Sequence, residues 1–193
     1  MWILLIIIAY FIGSISSGYL IGKFSRGIDI RNHGSKNAGA TNAFRVLGKT
    51  AGVLTLFFDG LKGFVVITAA QLMGFSPTIV IFAGIAVIAG HNWPVFLGFR
   101  GGRGVATSIG IIFGISWQVF ITVLIIGLIP LIITRYVSVG SLTGAVVFPW
   151  IMILFGEPLP YLIFAFIMSI LAIVRHISNI KRLIAGTERK LGQ

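Results

Sequence analysis

The sequence predicts an all-α integral membrane protein with seven transmembrane helices, and three observations predict it. Hydrophobic residues make up 57% of the 193 and charged residues only 10%, a balance found in membrane chains and not in soluble domains. Apolar runs long enough to cross about 30 Å of hydrocarbon recur along the chain. The lysines and arginines, which give a net charge of +11, fall on one side once a topology is drawn through those runs.

The first run covers residues 2–22. It has no basic segment before it, and the following GYLIGK offers no small-residue cleavage pattern, so it is expected to stay as a helix and not to be removed as a signal peptide. Further spans are expected near 52–73, 77–97, 142–156 and 159–175. The stretch 105–134 is too long for one crossing at about 1.5 Å per residue. Broken at Ser116-Trp117-Gln118 it gives two short ones, and charge decides for the break. With two crossings, the opposite turns near 74–77, 116–118 and 156–159 hold no lysine or arginine, only Glu157. The positive-inside rule then places the N-terminus outside, the C-terminus in the cytoplasm, and segments 23–51, 90–104, 135–141 and 175–193 together on the cytoplasmic face. No internal repeat is visible, and no separate soluble domain is long enough to fold, so residues 1–193 read as a single transmembrane domain.

The chain has no cysteine, which excludes disulfides, thiolate metal sites and a thioester intermediate. Its polar residues are concentrated in the loops. NHGSKNAGATN (32–42) lies in a connection of about 29 residues, far above the usual few. Gly34 and Gly39 permit backbone turns, Ser35, Asn37, Thr41 and Asn42 bring hydroxyls and amides, and Lys36 and Arg45 bring charge, so the stretch suits an anion nest. A flexible polar linker accounts for the same composition. It is not a Walker A loop, because GxxxxGK[ST] is absent.

The second loop, GHNWPVFLGFRGGRG (90–104), sets Arg100 and Arg103 on a glycine-rich turn before a helix, where backbone donors and guanidiniums favour an anion. Two arginines at a cytoplasmic helix end also serve orientation alone, and His91-Asn92-Trp93-Pro94 reads as an interfacial turn. The third cluster is RHISNIKR (175–182), where His176 and Asn179 share a helical face; a snorkelling basic anchor is the plainer reading. Asp59 and Lys62, three residues apart, are expected to form a shielded ion pair. Ser138 and Ser141 in YVSVGS gain weight only because the topology brings them to the same face.

In order, GSISSGYLIGK, DIRNHGSKNAGATNAFRVLGK, LFFDGLKG, GHNWPVFLGFRGGRGVATSIG, RYVSVGS and RHISNIKRLIAGTE closely resemble the bacterial membrane acyl-phosphate:glycerol-3-phosphate acyltransferases, over essentially the whole chain. The resemblance implies a seven-helix enzyme of the bacterial inner membrane. It would move a fatty acyl group from acyl phosphate to the 1-hydroxyl of glycerol 3-phosphate, giving lysophosphatidic acid for phospholipid synthesis, with its active site on the cytoplasmic face. Carried over by position, Ser35, Asn37, Gly39, Thr41, Asn42 and Arg45 fall in the phosphate-handling first loop, and Arg103 is a basic substrate ligand. Ser141 matches the polar residue of the third loop, and His176 and Asn179 match the last helix; the catalytic roles are expected for Ser35, His176 and Asn179. The chain departs from the family pattern twice. Arg100 and Arg103 stand where lysines are usual, and Ile177 and Ser178 replace an arginine and a glutamate, which removes the adjacent carboxylate that would orient His176.

The inventory fits that chemistry. Acyl phosphate is a mixed anhydride with phosphate as leaving group, so preorganised donors matter more than a covalent nucleophile. Glycerol 3-phosphate brings a second anion, to be positioned by a second basic pocket. The histidine–aspartate motif of other glycerol-phosphate acyltransferases is absent, since the residues five after His33, His91 and His176 are Ala38, Phe96 and Lys181. The base is therefore either His176 alone or the substrate's own phosphate. The expected partners are the two substrates and membrane lipid, with no metal, no cofactor and no nucleic acid; chelators should not reduce activity. A transporter for a phosphate ester is the rival class, but it needs ionisable groups along a path, and the spans offer mainly scattered Ser, Thr and Gln.

Overall fold

The computed structural model describes residues 1–192, and every regular element among them is helical. Contacts divide the chain into two units, Met1–Ile115 and Ser116–Gln193. Five segments are long and apolar enough to cross a bilayer: Trp2–Arg26, Lys49–Leu72, Pro77–Leu97, Trp117–Thr134 and Val137–Leu154. Leu159–Arg175 with Ile177–Ile184 makes a sixth if the pair, bent by 54°, is taken as one. Val105–Ile115, with 11 residues, is apolar but short.

The first unit contains α1 (Trp2–Ser14), α2 (Ser17–Arg26), α3 (Ala40–Leu47), α4 (Lys49–Leu72), α5 (Pro77–Asn92) and α6 (Val105–Ile115). The first apolar run is thus two helices, separated where Gly13, Ser14, Ser16 and Gly18 cluster and Ile15 turns extended. In lipid the carbonyls freed by such a break need donors. Lys62 Nζ supplies them, 3.0 Å from Gly13 O and 2.8 Å from Ile15 O. The expected pair with Asp59 forms at 2.9 Å, both side chains buried.

Small residues let these helices approach closely, the usual basis of helix association in lipid. α4 packs on α6 so tightly that a Cβ on Gly110 would lie 1.9 Å from Gly60 O, and one on Gly63 would lie 2.3 Å from Thr107 O. α1 meets α5 in the same way through Gly13 and Gly90. The outward faces, among them Leu56, Phe57, Val65 and Phe82, stay exposed and apolar. What reads as one long polar loop includes a helix: α3 holds Thr41, Asn42 and Arg45, and its amphipathic turns pack on α4.

The second unit contains α7 (Trp117–Thr134), α8 (Val137–Leu154), α9 (Leu159–Arg175) and α10 (Ile177–Ile184). The break expected at Ser116 is present, with α6 ending at Ile115 and α7 starting at Trp117. α8 begins at Val137, five residues before the expected span, so Ser138 and Ser141 lie in its first turns and not in a loop. α7 and α8 cross at Gly127 and Gly140, where a Cβ on Gly140 would lie 2.6 Å from Gly127 O. Pro130 and Pro149 sit inside helices, and Thr134 Oγ1 donates to the carbonyl of Pro130 at 2.6 Å.

Candidate functional site

In the first unit the two polar segments are fastened to each other. Asp29 caps the short turn Ile30–Asn32 and pairs with Arg31, whose Nη2 lies 2.7 Å from Oδ2. That hydrogen bond holds the Asp29 carboxyl below its ordinary range and raises the Arg31 guanidinium. The same guanidinium donates through Nη1 to Leu97 O at 2.6 Å and Arg100 O at 3.2 Å, so it ties residues 29–31 to the second loop. Asn37 Nδ2 reaches Gly101 O at 3.5 Å.

Asn42 organises the first loop from within. Its Oδ1 accepts from Ser35 N at 2.8 Å, and its Nδ2 donates to the carbonyls of Ile30, His33 and Asn37 at 2.9, 3.1 and 2.8 Å. The side chain is 1% exposed. Gly34 (φ +60°) and Lys36 (φ +58°) give the left-handed turns that bring those groups round it. Asn37 Oδ1 accepts from Gly39 N at 2.8 Å, and Gly39 caps α3. Ser35 remains exposed at the rim, and Thr41 and Arg45, four apart on α3, share a half-buried face.

The second loop rests on the end of α5. Gly102 N donates to His91 O at 3.0 Å and Gly101 N to Asn92 O at 3.3 Å, which places the Gly-Gly step separating Arg100 and Arg103. Arg100 is exposed and Arg103 half-buried. Below lies a polar cluster: Asp59 Oδ1 accepts from Ser17 Oγ at 3.1 Å and faces His91 Nδ1 at 3.7 Å, while Lys62 Nζ is 3.0 Å from that same Nδ1. Sequence spacing could not reveal this histidine–aspartate proximity, because the two residues are 32 positions apart on different helices.

In the second unit, His176 stands at the junction of α9 and α10. Its Nδ1 donates to Ala172 O at 2.7 Å, which directs the lone pair of the neutral ring to Nε2. A backbone carbonyl therefore orients this ring in place of the missing carboxylate. Asn179, also buried, donates through Nδ2 to Glu188 Oε1 at 2.5 Å. Glu188 also accepts from Ser138 Oγ at 2.9 Å and Arg182 Nε at 2.6 Å. Partial burial raises the Glu188 carboxyl, but the three donors outweigh it and leave the group below its ordinary value. Asn179 Oδ1 is buried without a hydrogen-bond partner among the described residues. Ser141 Oγ donates to Val137 O at 2.9 Å within its own helix. Glu188, in the irregular tail, has no periodicity that would have marked it. The first unit thus brings Ser35, Asn37, Gly39 and Asn42 into one assembly fastened to the Arg100–Gly102 segment that precedes Arg103, and the second joins Ser138, Asn179, Arg182 and Glu188. Among the described residues no group of three or more His, Cys, Asp and Glu is arranged to hold a metal ion.

Comparison with known proteins gives a consistent picture. The family model described as glycerol-3-phosphate acyltransferase matches residues 3–186. A glycerol-3-phosphate acyltransferase of Thermoanaerobacter sp. (strain X514) is 50% identical over 192 residues, covering 99% of this chain and 96% of the relative. Glycerol-3-phosphate acyltransferase 2 of Moorella thermoacetica is 45% identical over 193 residues, covering 100% and 99%. The crystal structure of PlsY (YgiH), an integral membrane glycerol 3-phosphate acyltransferase in its glycerol 3-phosphate form, matches with a TM-score of 0.94 at 40% identity, covering 99% of this chain and 96% of that one. Its lysophosphatidic acid form matches at 0.92 and 39%, covering 99% and 95%.

Proposed function

This chain belongs to the glycerol-3-phosphate acyltransferase family, and from that premise we propose that it transfers a fatty acyl group from acyl phosphate to the 1-hydroxyl of glycerol 3-phosphate. The products are lysophosphatidic acid and phosphate. The enzyme works as a multi-pass protein of the bacterial cytoplasmic membrane with its site on the cytoplasmic face. In this reading Val105–Ile115 is the seventh crossing, the N-terminus lies outside and the C-terminus inside.

The observation that carries the proposal is the fastening of two glycine-rich basic loops by Arg31 and Asn37 at one end of the first unit. Donors fixed before the substrate arrives stabilise the charge that develops on a phosphate leaving group without further reorganisation. Ser35, with Asn37, Gly39, Thr41, Asn42 and Arg45, forms the phosphate-handling loop, and Arg103 holds substrate phosphate as a guanidinium fork. In the second unit Asn179 and His176 handle the attacking hydroxyl, with Ser141 as a further substrate ligand. Asn179 Oδ1, which has no hydrogen-bond partner among the described residues, is an acceptor suited to a hydroxyl proton, its amide held by Glu188. The hydroxyl oxygen bonds to the acyl carbon, the bond from that carbon to the phosphate oxygen breaks, and the proton passes to His176 Nε2 or to a phosphate oxygen of glycerol 3-phosphate.

Detergent-purified protein tests this reading. It should form lysophosphatidate without sealed vesicles, whereas a transporter shows nothing unless a compartment exists. Ser35→Ala and Arg103→Ala should abolish turnover. Near wild-type turnover of His176→Gln would assign the proton to the substrate's phosphate.

A further inference from the structure

His91 plays no part in the reaction just described, yet it occupies an unusual position. It is buried, 4% exposed, at the end of α5, and it touches two different structures. On one side, Lys62 Nζ has four acceptors within 3.0 Å: Gly13 O, Ile15 O, Asp59 Oδ1 and His91 Nδ1. An ammonium has three protons for these four contacts and no lone pair, so Lys62 can only donate, and the Nδ1 edge of His91 closes the cluster as the fourth polar group around it. On the other side, the Nε2 edge lies against the second basic loop. A Cβ built on Gly102 would fall 2.0 Å from Nε2, and one built on Gly101 would fall 2.1 Å from His91 O. The loop amide of Gly102 is bonded to that same carbonyl at 3.0 Å.

We propose that His91 is a positioning residue with two separable edges: its Nδ1 edge completes the cluster that caps the α1–α2 break, and its Nε2 edge seats the Gly101–Gly102 step and so fixes Arg100 and Arg103. The buried ion pair is then more than a brace for a broken helix. It sets the ring that sets the anion-binding loop. The kinetic part of this inference rests on the acyltransferase reading, and the placement of the loop does not.

Two amide variants divide the edges. Asparagine puts a polar atom near the position of Nδ1 and leaves the Nε2 position empty, while glutamine reaches the Nε2 position. In full-length purified protein, backbone hydrogen exchange over 98–106 should speed up in His91→Asn and stay close to wild type in His91→Gln. The thermal midpoint should fall more in His91→Gln than in His91→Asn. The KM for at least one of the two anionic substrates should rise roughly tenfold or more in His91→Asn with a smaller change in kcat, and glutamine should restore it. Equal exchange and equal KM in both variants would overturn the proposal, as would unchanged exchange over 98–106 in His91→Asn. If the wild type has no acyltransferase activity the function reading fails, and the exchange comparison still decides the role of His91.

Discussion

Replacing Asn42 by alanine removes the hub of the first loop. Four hydrogen bonds end on this one buried amide, from Ser35 N and to the carbonyls of Ile30, His33 and Asn37. Two Nδ2 protons serve three carbonyls, so the equivalent of about three full bonds is lost, at about 1 kcal/mol each. The loss comes to roughly 3 kcal/mol, which for a chain of this size corresponds to a fall of roughly 6–12 °C in the thermal midpoint. Asn42→Asp should be at least as harmful, because a carboxylate retains the acceptor for Ser35 N but turns negative charge towards three carbonyl oxygens. The assay is thermal unfolding of the detergent-purified variants beside steady-state turnover, with Ser35→Ala as the comparison that removes a rim hydroxyl and leaves the hub intact. Asn42→Ala should lose both stability and activity, and Ser35→Ala activity alone. An Asn42→Ala protein with a midpoint within about 1 °C of wild type and unchanged kinetic constants would refute the hub argument.

Three further predictions follow from local geometry. Gly110→Ala places a methyl where Gly60 O stands 1.9 Å away, so α4 and α6 must separate; unfolding measurements should show a loss of about 1–3 kcal/mol. Arg31→Ala removes the Asp29 pair and both hydrogen bonds from Nη1 to the second loop, and KM for a phosphate substrate should rise severalfold while Arg31→Lys recovers only part, since an ammonium cannot reproduce the fork. For Glu188, whose carboxyl lies below its ordinary value in the folded protein, the stabilisation is complete above the ordinary carboxylate value of 4.5 and is lost as pH falls through the lower folded one. Wild-type thermal stability should therefore drop more steeply than that of Glu188→Gln below about pH 4.5, and parallel profiles would contradict the assigned contacts.

The legible features were those that depend on short-range spacing. Ser116-Trp117-Gln118 offered a place to break an apolar run, the sidedness of the lysines and arginines decided for it, and the helix boundary falls at Ser116. Asp59 and Lys62, one turn apart on α4, are paired. The α1–α2 break was not legible, because Gly13, Ser14 and Ser16 are compatible with a continuous membrane helix unless a distant donor arrives, and Lys62 follows Gly13 by 49 residues. Helix α3 was hidden because its apolar face, including Ala43 and Phe44, is too short to stand out of a loop rich in glycine and asparagine. Ser141 was assigned to a loop because hydropathy, which located the spans, does not register a helix that begins before its apolar part. The buried setting of His91, read from the sequence as part of an interfacial turn, and the role of Glu188 were not legible for a shared reason. Their partners lie on other elements, and only tertiary packing sets Glu188 beside Asn179 or His91 against Gly102.

Radiolabelled glycerol 3-phosphate, supplied to the detergent-purified protein with acyl phosphate, acyl carrier protein thioester or acyl-coenzyme A in turn, tests the central claim most directly. Labelled lysophosphatidate should appear with acyl phosphate and with neither thioester. Product from a thioester but not from acyl phosphate, or no product in detergent alongside uptake of label into sealed vesicles, would contradict it.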